Sequence, residues 1–213
     1  MIRLGCLIIG YVFGLFQTGY IYGRMKGIDI RTKGSGNAGT TNALRVMGFK
    51  AGILVFLGDA VKVILAVCLA RLLFAGEGVE AGLLCTLYAG LGAVLGHNYP
   101  FYLQFRGGKG IAVTGGMLFV LDWRLTVICA IVFFGLALLT RYVSLASLAM
   151  VSTALVLWIA AGQANMLPLG RMSLAEAYLV MIGWVALAFW RHRANIGRLL
   201  HGTENKLSLG RKK

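Results

Sequence analysis

The sequence predicts an all-α protein, a polytopic bundle of about seven transmembrane helices, and three observations predict it. The chain has 213 residues, of which 59% are hydrophobic and only 13% charged, a balance that is rare in soluble domains. The apolar residues come in long runs separated by short polar breaks. The cations collect in alternate breaks, as the positive-inside rule requires. A bundle of this length is expected to be a single domain, residues 1–213.

Each predicted helix is an apolar run bounded by polar residues or by glycine. In chain order the runs extend from Leu4 to Tyr22, Gly52 to Phe74, Gly82 to Leu95, Ile111 to Leu121, Leu125 to Leu139, Leu145 to Ala161 and Leu174 to Trp190. The fourth run is too short to cross a typical bilayer core, so we expect a half-helix or a locally thin membrane there. Five crossings would result if the shorter segments re-enter the same face.

The distribution of charge predicts the orientation. If residues 24–50 are cytoplasmic, sixteen of the 21 Lys and Arg residues fall on that side. This places the N-terminus outside and the C-terminus in the cytoplasm. Arg211 to Lys213 is expected to anchor the tail at that boundary. The formal net charge of +14 thus follows from topology, and no nucleic-acid signature accompanies it.

Two sets of residues within the apolar runs are expected to be structural. The cysteines form no CxxC pair and are interpreted as small buried hydrophobes; they are Cys6, Cys68, Cys85 and Cys129. Asp59 and Lys62 are three residues apart on one predicted helix and therefore share a face. Because charges inside a membrane are costly and usually paired, we expect an internal ion pair that braces the bundle, and the less favoured alternative is a direct part in the active site.

The first of three polar, glycine-rich stretches runs from Gly34 to Arg45. Its glycines allow successive backbone amides to turn toward an anion. Arg45 has a planar fork that grips phosphate with two bonds. The segment from Thr40 predicts a short helix whose N-terminus faces an anion. Neutral donors complete the stretch, namely Ser35, Asn37, Thr40 and Asn42.

The second stretch runs from Gly96 to Gly110 and embeds Arg106 and Lys109 among glycines. Close contact between backbone and phosphate suits that pattern, but it is not a Walker A loop, since Gly110 follows Lys109 where Ser or Thr would hold magnesium. His97 is interpreted either as a ligand-orienting group or general base, or as a structural histidine at a helix end.

The third stretch follows the last predicted helix, from Arg191 to Lys206. If that helix continues, His192 and Asn195 lie on one face. Ser144 opens the sixth helix on the same side and either caps it or presents its hydroxyl to the site. If all these stretches lie on one membrane face, they form one cationic site. The residues alone indicate a membrane enzyme acting on a phosphate-bearing lipid precursor, and the alternative is a transporter of phosphate esters.

Taken together, these stretches resemble the bacterial acyl-phosphate-dependent glycerol-3-phosphate acyltransferase family. The matching motifs are GSGNAGTTNALR, GHNYP followed by FRGGKG, RYVSLAS, and RHRANIGRLLHGTE. The resemblance implies transfer of a fatty acyl group from long-chain acyl phosphate to the 1-hydroxyl of glycerol 3-phosphate, giving lysophosphatidic acid and inorganic phosphate. It implies a bacterial inner-membrane enzyme, expected to be monomeric, with a cytoplasmic site and neither cofactor nor metal.

The resemblance, together with the residue types, assigns the candidate roles. The candidate catalytic residues are Ser35, Arg45, Lys109, His192 and Asn195. The candidate substrate-binding residues are Gly34, Gly36, Asn37, Asn42, His97, Arg106, Gly107, Gly108, Gly110, Ser144 and Glu204. Two candidates exist for the general base, His192 and a phosphate oxygen of the substrate itself.

Overall fold

The computed structural model describes residues 1–76 and 78–207, and every regular element in those ranges is helical. The α-helices in chain order are α1 (Ile2–Gly14), α2 (Thr18–Met25), α3 (Thr40–Met47), α4 (Phe49–Phe74), α5 (Val79–Asn98), α6 (Ile111–Leu121), α7 (Trp123–Thr140), α8 (Val143–Gln163), α9 (Arg171–Arg191) and α10 (Arg193–Leu200). Single 3₁₀ turns occur at Ile30–Thr32 and Phe101–Leu103. The predicted anchor Arg211 to Lys213 lies outside the described residues.

Six helical segments in the described part of the chain are long and apolar enough to cross a membrane. They are Ile2–Met25, Phe49–Phe74, Val79–Leu103, Trp123–Thr140, Val143–Gln163 and Arg171–Arg191. The shorter apolar helix α6 is the seventh. The prediction of about seven membrane helices, some of them short, is therefore confirmed. The predicted helix from Thr40 is also confirmed, as α3.

The first predicted helix is broken into two pieces, which the apolar run did not predict. The backbone leaves the helix after Gly14, and the carbonyl oxygen of Phe16 accepts a hydrogen bond from Lys62 Nζ at 2.7 Å. Gln17 Nε2 donates to the carbonyl oxygens of Gly14 (3.1 Å) and His97 (3.0 Å). The carbonyl groups of Gly14 and Phe16, which the break leaves without helical partners, thus accept hydrogen bonds from side chains, as a membrane interior requires.

Helices α1 and α5 pack with their backbones in contact. A Cβ atom added at Gly10 would lie 2.0 Å from the carbonyl oxygen of Ala89, and one at Gly92 would lie 2.2 Å from that of Leu7. Gly14 and Gly96 are equally close to the facing backbone. Small residues at four-residue spacing allow this approach, which is how membrane helices gain packing contacts without a hydrophobic driving force.

The chain crosses the bundle so that the three polar stretches lie at one end. That end holds the C-termini of α5, α7 and α9 and the N-termini of α4, α6 and α8. The opposite end is fastened by an ion pair between Arg3 and Glu176 (2.8 Å) and by Glu80 Oε2, which accepts from the amide of Gly170 (3.1 Å). Between the ends, the core is filled by buried apolar residues of α1 and of α4–α9.

Candidate active site

The first polar stretch is folded onto the end of α4 by a small apolar cluster. Ile30, Ala38, Ala43 and Val55 are buried together there. Because Val55 belongs to α4, this cluster fixes the position of α3 and of the loop that precedes it. The loop therefore has a defined place at the end of the bundle.

Asn42 organises the loop from its centre. Its side chain is buried, its Nδ2 donates to the carbonyl oxygens of Ile30, Lys33 and Asn37 at 2.9–3.0 Å, and its Oδ1 accepts from the amide of Ser35 at 2.8 Å. Its polar atoms are thus engaged by the loop itself, although sequence reasoning placed Asn42 against the substrate. That contact with substrate stays a prediction, while the loop-shaping role is visible.

The outer rim of this loop is open. Gly34 and Gly36 adopt left-handed backbone angles (φ 60° and 71°), which glycine tolerates without strain. Ser35 and Arg45 are exposed. Their side chains are therefore free to meet a ligand from the solvent side, as predicted for an anion site.

The second polar stretch supplies the loop 107–110, which packs tightly on the end of α5. The amide of Gly107 donates to the carbonyl oxygen of Asn98 (3.2 Å), and the amide of Gly108 donates to that of His97 (3.1 Å). An added Cβ at either glycine would come within 2.0 Å of His97. These glycines are therefore required for the loop to approach α5, which the motif alone did not reveal.

Arg191 holds the same loop from the other side, and sequence reasoning left it out of the site. Its Nη2 donates to the carbonyl oxygens of Gly107 (3.1 Å) and Gly108 (2.7 Å). Its guanidinium carbon lies 5.0 Å from the centre of the Tyr99 ring. The signal was ambiguous because an arginine at the end of a membrane helix is ordinarily a boundary anchor.

Lys109 projects from the loop to the third polar stretch. Its Nζ contacts Asn195 Oδ1. Asn195 Nδ2 in turn donates to Glu204 Oε1 (2.9 Å), and Glu204 Oε2 accepts from Arg198 Nε (2.9 Å). Glu204 was predicted to bind substrate, a contact that stays untested. In the structure its carboxylate orients Asn195 and Arg198.

The pKa of Lys109 is lowered to about 8. Burial is the main cause, because the neutral amine is less costly to desolvate than the ammonium. Glu204 opposes this shift, whereas the positive charges of Arg198, Arg191 and Arg45 add to it. Four cations thus lie close enough to repel one another, and an anion among them would relieve that repulsion.

His192 sits at the junction of α9 and α10 with its side chain buried. Its Nδ1 lies 2.8 Å from the carbonyl oxygen of Ala188, so the neutral ring carries its proton on Nδ1 and leaves Nε2 as an acceptor. Burial, and then the charge of Lys109, lower its pKa to about 4. The predicted common face of His192 and Asn195 assumed one continuous helix, whereas α9 ends at Arg191 and α10 begins at Arg193. Both side chains nevertheless lie beside Lys109.

Three further predicted residues occupy different surroundings. His97 is buried and faces Lys62 as well as the loop. Arg106 is exposed beside the loop. Ser144 does not cap α8, which corrects one of its two predicted roles; its Oγ is buried and has no partner among the described residues. Its other predicted role, a donor to the site, stays a prediction.

The polar stretches meet around the loop 107–110. Asn37 Nδ2 approaches the carbonyl oxygen of Gly107 at 3.5 Å, and Lys109 and Arg191 join the loop to the third stretch. The site is recessed into the end of the bundle. Gly116, five residues after the start of α6, packs against Ala60, eleven residues after the start of α4. The first residue of α4 therefore lies six residues, or about 9 Å, farther out than that of α6. The recess accounts for six of the fifteen residues by which α6 is shorter than α4, and α6 also ends nine residues earlier at the opposite end of the bundle.

Among the residues that the structure describes, no three His, Cys, Asp or Glu side chains cluster as metal ligands would. The polar groups that converge are instead cations, amides, one neutral imidazole and the single carboxylate of Glu204. Such a set is suited to binding phosphate and to stabilising negative charge as it develops on oxygen.

Comparison with known proteins points to one family. A family model described as glycerol-3-phosphate acyltransferase matches residues 4–202. Proteins named glycerol-3-phosphate acyltransferase are 38% identical in Clostridioides difficile over 207 residues and 43% identical in Halalkalibacterium halodurans over 210 residues. Each alignment covers 97% of this chain, and 95% and 96% of the respective relative.

Two solved structures share the fold. Both are of PlsY (YgiH), an integral membrane glycerol 3-phosphate acyltransferase, in a glycerol 3-phosphate form and a lysophosphatidic acid form. The first matches with a TM-score of 0.83 at 34% identity, covering 97% of this chain and 96% of that one. The second matches with a TM-score of 0.80 at 34% identity, covering 96% and 94%.

Proposed function

Because the chain belongs to the glycerol-3-phosphate acyltransferase family and is an integral membrane acyltransferase, we propose that it acylates the 1-hydroxyl of glycerol 3-phosphate with acyl phosphate as donor. The products are lysophosphatidic acid and inorganic phosphate. The observation that carries this proposal is the recessed cluster in which Lys109 lies among Arg45, Arg191, Arg198, His192 and Asn195.

Both substrates carry phosphate, which accounts for the surplus of cations. Lys109 and the exposed Arg45 are assigned to phosphate groups, with Ser35 as a neutral donor at the rim. Arg191 is already committed to the carbonyl oxygens of the loop and is assigned to shaping it. Apolar helix surfaces beside the recess accommodate the acyl chain.

The reaction needs alignment more than activation. The hydroxyl oxygen of glycerol 3-phosphate bonds to the acyl carbonyl carbon, the bond from that carbon to the phosphate oxygen breaks, and phosphate leaves with the electron pair. Acyl phosphate is a mixed anhydride with a good leaving group, so positioning and charge neutralisation supply most of the catalysis. Lys109 and Asn195, which contact each other, are assigned to stabilising the developing negative charge.

The proton of the hydroxyl goes to one of two bases. His192 presents an unprotonated Nε2, but its pKa of about 4 makes it a weak base. A phosphate oxygen of the substrate has a second pKa near 6 and is the stronger base. We favour the phosphate oxygen as base for the 1-hydroxyl proton and assign His192 Nε2 to accepting a hydrogen bond from the non-reacting 2-hydroxyl, which orients the substrate.

The same proposal covers location and assembly. The cation-rich end of the bundle lies at the cytoplasmic face of a bacterial inner membrane, because loops rich in Lys and Arg are retained on that side. One chain supplies all the groups of the site, so the enzyme works as a monomer. The rival function, transport of phosphate esters, is not favoured, because the polar groups gather at one end of the bundle instead of at its middle.

The test is a phosphate-release assay. Purified protein receives glycerol 3-phosphate with palmitoyl phosphate, and palmitoyl-CoA serves as control donor. We expect phosphate and lysophosphatidic acid in equal amounts with palmitoyl phosphate alone, and a Lys109→Met variant to show at least a hundredfold lower kcat/KM, of the order expected when a charge-stabilising donor is lost. Turnover restricted to the CoA thioester would refute the donor assignment.

A further inference from the structure

A buried polar network lies directly beneath the loop 107–110. Its charged members are Asp59 and Lys62 on α4, whose side chains are only 1% and 4% exposed. Lys62 Nζ lies 2.8 Å from Asp59 Oδ1, which confirms the predicted internal ion pair. Thr18 Oγ1 donates to the same carboxylate oxygen at 3.1 Å.

Lys62 has two further partners that the sequence spacing did not indicate. Lys62 Nζ also lies 2.8 Å from His97 Nδ1 and 2.7 Å from the carbonyl oxygen of Phe16. An ammonium group has three protons, and these three neighbours take one each. His97 Nδ1 therefore accepts, and the neutral imidazole must carry its proton on Nε2.

That ring nitrogen faces the loop. An added Cβ on Gly108 would lie 2.0 Å from His97 Nε2, and the carbonyl oxygen of His97 accepts the amide of Gly108 at 3.1 Å. Both the ring and the backbone of His97 thus support Gly108, the neighbour of Lys109. Asp59, Lys62, His97, Gly108 and Lys109 form one continuous path from the interior of the membrane to the site.

We propose that Lys62 is a positioning residue that acts through His97: its hydrogen bond to Nδ1 fixes both the tautomer and the orientation of the ring, and the ring packed against Gly108 keeps the loop 107–110, and with it Lys109, in place. If the ion pair only braced the bundle, Lys62 would not need to donate a hydrogen bond to a histidine whose ring packs on the loop. The effect on catalysis rests on the proposed function, whereas the tautomer and the order of the loop do not.

The first measurement is made on the wild-type protein. The chain has three histidines, His97, His192 and His201, so selective ¹⁵N-histidine labelling gives few signals. Variants His192→Gln and His201→Gln assign them. We expect His97 to be protonated on Nε2 and His192 on Nδ1, opposite tautomers within one spectrum. A His97 signal protonated on Nδ1 would overturn the proposal.

The second measurement uses the double variant Asp59→Asn/Lys62→Met, which removes both charges together and leaves no unpaired buried ion. We expect a mixture of His97 tautomers and faster hydrogen–deuterium exchange in residues 104–112, where the amides of Gly107 and Gly108 are bonded to α5. The matched control is Arg3→Met/Glu176→Gln, which removes the ion pair at the opposite end and leaves exchange in that segment unchanged. Unchanged exchange in the test variant would refute the role.

Kinetics separates positioning from stability. A displaced Lys109 raises KM for glycerol 3-phosphate by about fivefold or more, whereas partial misfolding lowers only the apparent kcat. In His97→Gln, the glutamine amide occupies the position of Nε2. If Lys62 acts only through His97, adding Asp59→Asn/Lys62→Met to that variant leaves KM at the value of His97→Gln alone. Additive effects, or an unchanged KM in the first variant, would exclude the proposal. If wild-type protein shows no turnover, the proposed function fails, and the tautomer and exchange experiments still decide the structural claim.

Discussion

At the residue scale, the lowered pKa of Lys109 makes a prediction about pH. In the proposed function the lysine binds phosphate as a cation, and with a pKa of about 8 it loses its charge as the pH rises through that value. We therefore expect kcat/KM for glycerol 3-phosphate to be highest below about pH 8 and to fall above it. The measurement is a kcat/KM profile from about pH 6 to 9.5.

The control is Lys109→Arg, which stays charged over that range. Its absolute activity is expected to be lower, because a guanidinium does not fit the contact with Asn195. Its profile should show no decline near pH 8. A wild-type profile that is flat to pH 9.5, or the same decline in both proteins, would contradict the assignment.

A second prediction concerns the base. If a phosphate oxygen accepts the proton, the acidic limb of the kcat/KM profile lies near pH 6 and persists in His192→Gln. If His192 is the base, the limb lies near its own pKa of about 4 and disappears in that variant. We expect the first outcome, with kcat reduced by about tenfold to a hundredfold because the orienting acceptor is displaced.

Sequence reasoning identified polar residues that interrupt apolar runs, and it missed a residue whose role depends on a contact with a distant segment. Lys109, His192 and Asn195 were predicted and do lie together. Arg191 was placed in the third polar stretch without a role of its own, and only the path of α9 beside the loop shows that it binds Gly107 and Gly108. Tertiary contacts of this kind carry no local pattern.

At the scale of elements, apolar runs predicted the helices well and their interruptions poorly. The seven predicted segments correspond to α1 with α2, and to α4 through α9. The break after Gly14 follows from bonds that Phe16 and Gln17 make to distant helices, so no residue near it marks the helix end. The short α6 was predicted from the length of its apolar run, and the recessed loop before it accounts for the late start of this helix.

The contact between α1 and α5 makes the third prediction. Gly92→Ala places a methyl group against the carbonyl oxygen of Leu7, and backbone cannot yield as a flexible side chain does. We expect a cost of about 1–3 kcal/mol, or roughly 3–10 °C in melting temperature, measured in detergent by a thermal shift assay. Gly183→Ala in α9 is the matched control, since an added Cβ there meets nothing within 4 Å. Equal melting temperatures would show that α1 adjusts freely.

At the scale of the whole molecule, the structure brings the polar stretches together but contains no membrane, and the number of domains stays a prediction from length. The bundle has a cation-rich end that holds Lys109, Arg191 and Arg198, and an opposite end fastened by Arg3 and Glu176. Which end faces the cytoplasm follows only from the count of cations in the sequence. That inference is independent of the fold and can be tested separately.

The fourth prediction is therefore about orientation. Ser35→Cys and Arg106→Cys place exposed thiols at the site end, and Arg124→Cys and Met172→Cys place them at the opposite end. We expect a membrane-impermeant maleimide to label the first pair only in inverted vesicles and the second pair only in intact cells, because cations are retained on the cytoplasmic side. The wild-type protein, whose Cys68 is exposed on a membrane helix and whose other cysteines are buried, gives the background. If Ser35→Cys and Arg106→Cys were labelled from opposite sides of the membrane, the first two polar stretches could not form one site. If both were labelled from outside, the orientation of the bundle would be the reverse of the one proposed. Either result would contradict the proposal that the recess opens to the cytoplasm and receives glycerol 3-phosphate from there.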